Sequence, residues 1–372
     1  ISQLSGAGVR YNVVDKRQKG RKIDVHFNGV LYPEQQVAAE KMLYNDIGVL
    51  AAATAFGKTV LGAYLIAQKK VNALVLVHNV EIMNNWIKDL NSFLTINEEL
   101  PTYTTPKGRV KKRSSLIGTF SSQKDATTGI IDIAMITSLG REDNINELVR
   151  NYGMVIVDEC HHAAAVTHEN VLRAVTARYI YGMSATINRG DKQDKKMFMQ
   201  LGPIRHRYTA KERAQKQGIG HYIYPRFTRL VDLNQSEDRN PADYYRLIMQ
   251  SELRNMQIVS DTIDCVKRGR TPVVMTKYKE HAQKLYDMLQ GSADHVFLLQ
   301  GGKSLKERAA IREDMAAVRA DESIILVAIG QYVGEGFNYP RLDTMLLAMP
   351  ISFEGNVEQH AGRLNRDYEG KK

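Results

Sequence analysis

Short apolar runs alternate with amphipathic segments along the first half of the chain. The runs at 49–53, 73–78, 131–136 and 154–157 have the length and composition of strands buried on both faces. The segments at 60–67 and 81–90, which lie between such runs, carry apolar residues at helical spacing. The alternation predicts an α/β fold with a mostly parallel sheet covered by helices on both faces.

The same alternation restarts in the second half. Strand patterns recur at 272–276, 295–299 and 324–328, and a helical pattern occupies 280–289. Because the chain has 372 residues, it is long enough for two domains that each bury a core. We predict a basic N-terminal extension at 1–25, a first domain at 26–208, a basic polar linker at 209–226 and a second domain at 227–372.

The turn from the first strand to the first helix ends in Gly57, Lys58 and Thr59, which is typical of a phosphate-binding loop. In such a loop, backbone N–H groups surround the anion, a lysine neutralises phosphate oxygens and a hydroxyl helps to hold Mg²⁺. The generic pattern begins with glycine, but Ala52 occupies that place here and Ala55 stands where a further glycine is common. A chance triplet at an ordinary helix start is the alternative interpretation.

An acidic pair follows the fourth apolar run, at 154–157. At the carboxyl end of a parallel strand, Asp158 is placed to hold Mg²⁺ and Glu159 to orient or deprotonate an attacking water. The Cys-His-His run at 160–162, with His168 nearby, also raises the hypothesis of a zinc site. Adjacent ligands seldom converge on one tetrahedral ion, and the chain has no CxxC pair, so the magnesium interpretation is favoured.

The charge balance favours a polyanion partner. The chain carries 51 basic and 41 acidic residues, a net charge of +10, which makes nucleic acid the leading candidate. Basic stretches at 9–22 and 107–113 either contact phosphates or form solvated surface.

The cysteine content and the apolar runs bear on location. Two cysteines fit a reducing compartment, and no apolar run has membrane-spanning length. We therefore predict a cytoplasmic protein, nucleoid-associated in a prokaryote, with no membrane partner. The start at Ile1 predicts a piece of a longer protein.

Four short motifs, in order, resemble those of superfamily 2 helicases and translocases of the DEAD/DEAH-box branch. AATAFGKT at 52–59 is similar to motif I, DECH at 158–161 to motif II, SAT at 184–186 to motif III and QHAGRLNR at 359–366 to motif VI. The resemblance covers about residues 27–372. The segments LYPEQ, HNVEIMNNW, FMQLGPIR and GEGFNYPRLDTMLLAMPIS are most similar to the DNA-directed group, which includes repair translocases, restriction-type motors and helicases of phage-conflict systems.

The resemblance implies two RecA-like domains with ATP and Mg²⁺ in the cleft between them, and a role for particular residues. The residues assigned to the nucleotide are Gln35, Thr54, Ala55, Phe56, Gly57, Lys58, Thr59 and Asn338; those assigned to Mg²⁺ are Thr59 and Asp158. The residues assigned to catalysis are Glu159, Gln359, Arg363 and Arg366, and those assigned to coupling are Ser184 and Thr186. The nucleic-acid contacts carried over by position are His78, Asn79, Thr137, Ser138, Thr276 and Gly330. A helix cap is the alternative role for Thr137 and Ser138.

The second half has no second GKT triplet, so it is expected to supply groups to the nucleotide rather than bind another one. The last strand and helix usual after motif VI in relatives are absent, which predicts a truncated second domain. Three positions depart from many relatives: Asn79 replaces a basic residue, Ile329 a threonine and Asn338 an aspartate. These changes alter the expected grip on the strand but remove none of the residues assigned to hydrolysis.

Two classes of function remain open at this stage. The first is an ATP-dependent DNA helicase or double-stranded DNA translocase. The second is a nucleic-acid-stimulated ATP switch that controls an effector, such as a nuclease or primase in a further domain or subunit, without unwinding. An RNA helicase of the same fold is a more distant alternative, because contacts to backbone phosphate alone do not distinguish the two sugars.

Overall fold

The chain folds into two compact units. The first comprises Ile1–Leu50, Lys58–Ser184 and Gln193–Arg207, and the second Ala51–Gly57, Ala185–Lys192 and Tyr208–Lys372. The computed structural model describes residues 6–10, 12–105, 108–141, 144–161, 166–185, 194–217, 220, 222–228, 241–302, 305–330, 337, 339–350, 361–362, 364 and 368. Within these ranges, no helix has the length and apolarity that a membrane crossing demands.

An eight-stranded sheet organises the first unit. Its strand order is β14-β2-β13-β12-β3-β9-β7-β8, so the strand that ends at the acidic motif is central and the strand that leads into the phosphate loop is second from one edge. The pairs β12/β13, β12/β3, β3/β9 and β7/β9 are parallel, and β7/β8 is antiparallel. The strands of this sheet are β2 (Ile47–Ala52), β3 (Ala73–Val77), β7 (Ile117–Ser121), β8 (Lys124–Asp125), β9 (Ile131–Met135), β12 (Met154–Asp158), β13 (Tyr179–Ser184) and β14 (Ile204–Tyr208).

The central strands are uniformly buried, as β3 and β12 show at every position. Helices cover the sheet because their apolar faces need the same burial. The helices of this unit are α1 (Pro33–Leu43), α2 (Lys58–Lys69), α3 (Val80–Phe93), α4 (Ile136–Leu139), α5 (Val166–Ala174) and α6 (Asp194–Leu201), with a 3₁₀ turn at Glu147–Arg150. Small antiparallel pairs join β1 (Val25–Phe27) to β4 (Leu94–Ile96), β5 (Thr102–Thr104) to β6 (Val110–Lys112), and β10 (Gly140–Arg141) to β11 (Asn144–Ile145).

The packing of α2 against α3 depends on one glycine. Trp86 on α3 is completely buried, and a Cβ atom at Gly62 on α2 would lie 2.4 Å from Cη2 of the indole ring. Real Cβ atoms do not approach carbon that closely, so a side chain at position 62 would displace the indole. Gly62 therefore admits the only tryptophan of the chain into the core of the first unit.

The N-terminal segment at 15–23, which we call the N-terminal strap, lies on the first unit. The Gln18 amide donates to Thr176 O (2.7 Å), and the Asn72 amide donates to Arg21 O (2.8 Å). Asn72 precedes β3, so the strap crosses the amino-terminal edge of the sheet, opposite Asp158. The structure therefore docks the backbone of this part of the basic stretch on the first unit, and contact of the stretch with phosphates stays a prediction.

Acidic neighbours hold the basic side chains of the N-terminal strap. The Arg17 guanidinium lies 2.8 Å from Asp15 and 3.1 Å from Asp46, and the Arg21 guanidinium lies 2.8 Å from Glu98. The Arg21 hydrogen bond lowers the pKa of the Glu98 carboxyl below its ordinary value. These arginines therefore bind the protein's own carboxylates.

A four-stranded parallel sheet of order β16-β17-β15-β18 forms the core of the second unit. Two buried apolar clusters, one containing Val274 and Leu285 and the other Leu326 and Phe337, lie among its elements. The strands are β15 (Pro272–Thr276), β16 (His295–Leu299), β17 (Ile324–Ile329) and β18 (Thr344–Leu347), and the helices are α7 (Ala210–Gln217), α8 (Pro241–Gln250), α9 (Glu252–Lys267), α10 (Lys279–Leu289) and α11 (Leu305–Ala317). The predicted α/β fold with mostly parallel, helix-covered sheets is confirmed.

Candidate nucleotide site

The predicted phosphate loop runs from the end of β2 to the start of α2. Ala55 has a φ of +62° and Gly57 a φ of +85°, so the turn uses the left-handed region twice. At Ala55, this conformation costs about 1 kcal/mol because Cβ approaches the carbonyl oxygen. The preference of related loops for glycine at position 55 has this physical basis, and Ala55 adopts the glycine-like backbone despite its side chain.

Tyr208, the last residue of β14, and Arg213, in the first turn of α7, support this loop. The Ala53 amide donates to Tyr208 O (2.9 Å), and the buried Arg213 donates from Nη1 to Thr54 O (3.1 Å). The Phe56 ring packs against Tyr208 at a centroid distance of 5.1 Å. Sequence reasoning assigned the segment around Arg213 to a linker and missed this role. A lone arginine far from the motifs gives no signal for it.

Asp158 ends β12 and is held by two donors. The amide of Glu159 donates to Oδ1 (2.9 Å), and the indole Nε1 of Trp86 donates to Oδ2 (2.8 Å). Burial raises the pKa of the Asp158 carboxyl above its ordinary value, and the neighbouring Glu159 carboxylate raises it further, whereas Lys58 opposes the shift. Two hydrogen bonds therefore fix the orientation of the Asp158 carboxyl, and a nearby cation would stabilise its ionised form.

Three side chains of the first unit converge on Glu159. Lys58 Nζ lies 3.4 Å from Oε1, and the Ser184 hydroxyl donates to Oε2 at 3.3 Å. His161 Nδ1 lies 2.9 Å from Ser184 Oγ and 3.4 Å from Glu159 Oε2. Glu159 itself has a φ of +45°, a strained conformation for a residue with a side chain. The structure thus brings together the charged and hydroxyl groups of three motifs that are far apart in sequence.

The Thr59 hydroxyl hydrogen-bonds to Asp89 Oδ2 on α3. Thr59 and Asp158 both offer oxygen atoms, the ligand type that Mg²⁺ prefers, and Mg²⁺ sites with one or two protein ligands commonly complete their shell with phosphates and water. This donor set fits Mg²⁺ bound together with a nucleotide.

The zinc hypothesis finds no support in the described residues. Cys160 is completely buried, and burial raises the pKa of its thiol above its ordinary value. Among the residues that the structure describes, no group of three or more His, Cys, Asp or Glu side chains is arranged to hold a metal ion.

Comparison with known proteins agrees with this geometry. The family described as type III restriction enzyme, res subunit, matches residues 28–189, which include the phosphate loop, the acidic pair and Ser184. A protein of Escherichia phage T5 named as a helicase is 23% identical over 384 residues, covering 100% of this chain and 76% of its own length. These matches support the resemblance to superfamily 2 helicases and translocases. The family match and the relatives named as helicases imply nucleic-acid-dependent ATP hydrolysis.

Further comparisons show that the chain spans only part of the length of some relatives. A relative from Acanthamoeba polyphaga mimivirus named as an ATP-dependent RNA helicase is 23% identical over 355 residues, or 92% of this chain and 62% of that protein. The solved fragment of an HsdR subunit of a type I restriction enzyme from Vibrio vulnificus shares the fold, with a TM-score of 0.60, 15% identity and coverage of 93% of this chain and 63% of that one. These relatives therefore extend beyond the part that the chain matches.

Among the remaining residues assigned to the nucleotide, catalysis or coupling from the resemblance, the structure describes Gln35 and leaves five others outside the described ranges. Gln35 is buried, and its Oε1 accepts a hydrogen bond from the Tyr32 amide at the start of α1. The assignment of Gln35 to the nucleotide stays a prediction. The assigned residues that lie outside the described part of the chain are Thr186, Asn338, Gln359, Arg363 and Arg366.

Four of the residues predicted to contact nucleic acid lie at the carboxyl ends of β3 and β9. Asn79 caps α3, because its Oδ1 accepts from the Ile82 amide (2.8 Å), and its Nδ2 lies 3.0 Å from His78 Nε2. Thr137 is exposed and Ser138 half-buried, both inside α4, whose N-cap is Met135. The helix-cap alternative for Thr137 and Ser138 is therefore not what the structure shows.

The other two nucleic-acid positions lie in the second unit. Thr276 ends β15 and is 5% exposed, and its hydroxyl lies 2.8 Å from His281 Nδ1. Gly330 is half-buried directly after β17. Sequence reasoning placed Thr276 at the strand end but missed that its side chain is occupied by a buried partner.

Proposed function

We propose that the chain is the motor core of an ATP-dependent DNA helicase or double-stranded DNA translocase. The convergence of Lys58, His161 and Ser184 on Glu159 supports this proposal most directly. Glu159 is assigned as the base that orients or deprotonates the water attacking the γ-phosphate of ATP. His161 and Ser184 hold the opposite oxygen of the same carboxylate, so they fix the direction in which the base points.

Lys58 is proposed to exchange partners when ATP binds. Its ammonium lies 3.4 Å from Glu159 Oε1, within the range of an ion pair. A triphosphate offers several anionic oxygens at the loop, and these would draw the ammonium away from the carboxylate. Glu159 would then be free to accept a proton from water only after the substrate is in place. This order limits hydrolysis of ATP to the fully assembled site.

Thr59 and Asp158 are the residues that would hold Mg²⁺ in this proposal. When bound, Mg²⁺ supplies positive charge that neutralises the β- and γ-phosphate oxygens. The protein's own contribution is orientation: Asp158 is fixed by its two donors, and Ala55 and Gly57 shape the loop around the phosphates.

Arg363 and Arg366 are proposed to stabilise the charge on the departing γ-phosphate, with Gln359 beside them, and Ser184 and Thr186 to couple turnover to strand binding. The domain boundaries predicted from the sequence stay part of this proposal. ATP would favour one arrangement of the two domains and the hydrolysis products another, which turns turnover into stepping along the strand.

DNA is proposed as the partner. The net charge of +10 and the match to a restriction-enzyme family support it, while the name of the mimivirus relative keeps RNA as the second candidate. An effector nuclease or primase, and a cytoplasmic location, also remain proposals.

Steady-state ATP hydrolysis by the 372-residue chain tests the proposal. The assay compares no nucleic acid, single-stranded DNA, duplex DNA and RNA, with Lys58→Ala as the blank. Stimulation by DNA that is absent in the blank supports a DNA motor, and strand-displacement and triplex-displacement assays then separate a helicase from a translocase. Stimulation by RNA alone favours the RNA helicase, and stimulation without displacement of either kind favours the ATP switch.

A further inference from the structure

Helix α3 contacts both residues assigned to Mg²⁺. Trp86 donates from its indole Nε1 to Asp158 Oδ2 at 2.8 Å, and Asp89 accepts the hydrogen bond of the Thr59 hydroxyl. Trp86 and Asp89 are three residues apart on a helix, so they lie on the same face. We propose that Trp86 and Asp89 are positioning residues that hold Asp158 and Thr59 in the geometry for Mg²⁺. This inference rests on the proposed function.

The polarity of each contact suits the ligand that it holds. The indole N–H is a donor only, so it neutralises part of the charge of the Asp158 carboxylate and fixes its rotation without acting as a metal ligand itself. The Asp89 carboxylate accepts the hydrogen bond of the Thr59 hydroxyl, which leaves the lone pairs of the hydroxyl oxygen available to a cation. Trp86 thus donates to the anionic ligand Asp158, and Asp89 accepts from the neutral ligand Thr59. Residues that orient metal ligands commonly hydrogen-bond to them in this way.

The surrounding packing holds the indole in place. Trp86 is completely buried and fits over Gly62 of α2, the helix that begins at Lys58. The hydrogen bond to Asp158 spans 72 residues of sequence and is buried, so little water competes for either partner. The indole therefore connects the packing of α2 and α3 to the carboxylate at the end of β12.

The same helix begins at a predicted nucleic-acid contact. Asn79 caps α3 through the Ile82 amide. A nucleic-acid strand that binds Asn79 would therefore contact the first turn of α3, and later turns of the same helix carry Trp86 and Asp89. Helix α3 would thus connect nucleic-acid binding to the two residues that hold Asp158 and Thr59.

Mg²⁺ titrations of nucleotide binding test the proposal. The probe is a fluorescent, non-hydrolysable ATP analogue, measured in EDTA and then with increasing Mg²⁺. We expect Trp86→Phe, which keeps an aromatic ring but loses the N–H, and Asp89→Ala to raise the Mg²⁺ concentration for half-maximal effect about tenfold. Affinity in EDTA should not change. Asp89→Asn retains an acceptor for Thr59 and should restore the midpoint, and Lys88→Ala, an exposed neighbour on α3, should match the wild type.

Unchanged Mg²⁺ midpoints in both Trp86→Phe and Asp89→Ala would overturn the proposal, and a tighter midpoint in Asp89→Ala would mean that Asp89 withholds Thr59 from the metal. The wild-type protein provides a second measurement, because Trp86 is the only tryptophan. Its emission should change when Mg²⁺ is added to the nucleotide-saturated protein, and no change would also count against the contact. Failure of the wild type to bind the analogue at all would instead refute the proposed function.

Discussion

His281 makes the second unit sensitive to acid. It lies on α10 with 1% of its surface exposed, and its Nε2 lies 3.0 Å from Asn255 Oδ1 while its Nδ1 lies 2.8 Å from Thr276 Oγ1. Asn255 donates its own amide N–H to Met249 O, so its Oδ1 faces the imidazole. The neutral ring therefore carries its proton on Nε2 and accepts the Thr276 hydroxyl on Nδ1.

The cost of protonating His281 follows from its surroundings. Burial, followed by the nearby cations Arg254 and Lys284, lowers the pKa of His281 from 6.5 to about 4. Because the folded pKa is below the unfolded one, the unfolded chain binds the proton more readily. Stability is therefore complete above pH 6.5 and is lost between pH 6.5 and pH 4. The loss is about 2 kcal/mol between pH 7.5 and 5.0 and about 3 kcal/mol below pH 4.

Hydrogen exchange read by mass spectrometry measures this loss locally. Peptides from β15, α9 and α10 report the opening free energy of this region at pH 7.5 and 5.0 after correction for the intrinsic exchange rate. His281→Gln cannot titrate, so the drop between the two pH values should shrink by about 2 kcal/mol relative to the wild type. His26→Gln, which alters an exposed histidine of the first unit, should leave the drop in these peptides unchanged.

An NMR titration of the imidazole, assigned by its loss in His281→Gln, gives the decisive value. A midpoint near 4 agrees with the structure. A midpoint at or above 6, or equal drops in wild type and His281→Gln, would refute the argument that the ring is buried and neutral.

Three further predictions concern the first unit and the phosphate loop. Gly62→Ala should lower the melting temperature and reduce ATP hydrolysis, although alanine is the better helix former, because its Cβ collides with Trp86; an unchanged melting temperature would contradict the packing. Arg213→Ala should weaken ATP binding about tenfold in an equilibrium assay, since Thr54 O loses a buried donor, whereas an unaltered affinity would remove this support role. Glu159→Gln should bind ATP but hydrolyse it at least a hundredfold more slowly in a steady-state assay; wild-type turnover would eliminate it as the base.

The sequence predicts those parts of the fold that are local. Strands such as β3 and β12 are predictable because a strand buried on both faces must be a continuous apolar run. The acidic pair and the phosphate loop follow from the same reasoning, since each lies where a predicted strand ends. The strands β7 and β14, which lie at or next to an edge of the sheet, have a weaker apolar pattern and were not predicted.

Contacts between residues distant in sequence are the part that sequence reasoning missed. Trp86 reads as one more apolar position of a helix, and only the fold shows that its N–H reaches Asp158. Likewise, the residues next to Arg213 and His281 in sequence form no motif. Arg213 supports the phosphate loop through Thr54 O, and His281 is buried against Thr276 of β15, and both contacts form only in the folded chain. The resemblance to superfamily 2 identified the positions of the motifs but not the side chains that hold them.

The docked N-terminal strap has a consequence for the thermodynamics of nucleic-acid binding. Binding to a polyanion releases condensed counterions in proportion to the number of phosphates neutralised, so affinity falls with salt at about 0.9 logarithmic units per contact. Arg17 and Arg21 are already paired with Asp46 and Glu98, so a phosphate must replace a carboxylate before either guanidinium can neutralise it. Such pairs add nothing to the net charge of +10, because their carboxylates are counted with them, and the salt dependence of binding reports only the cations that contact phosphate.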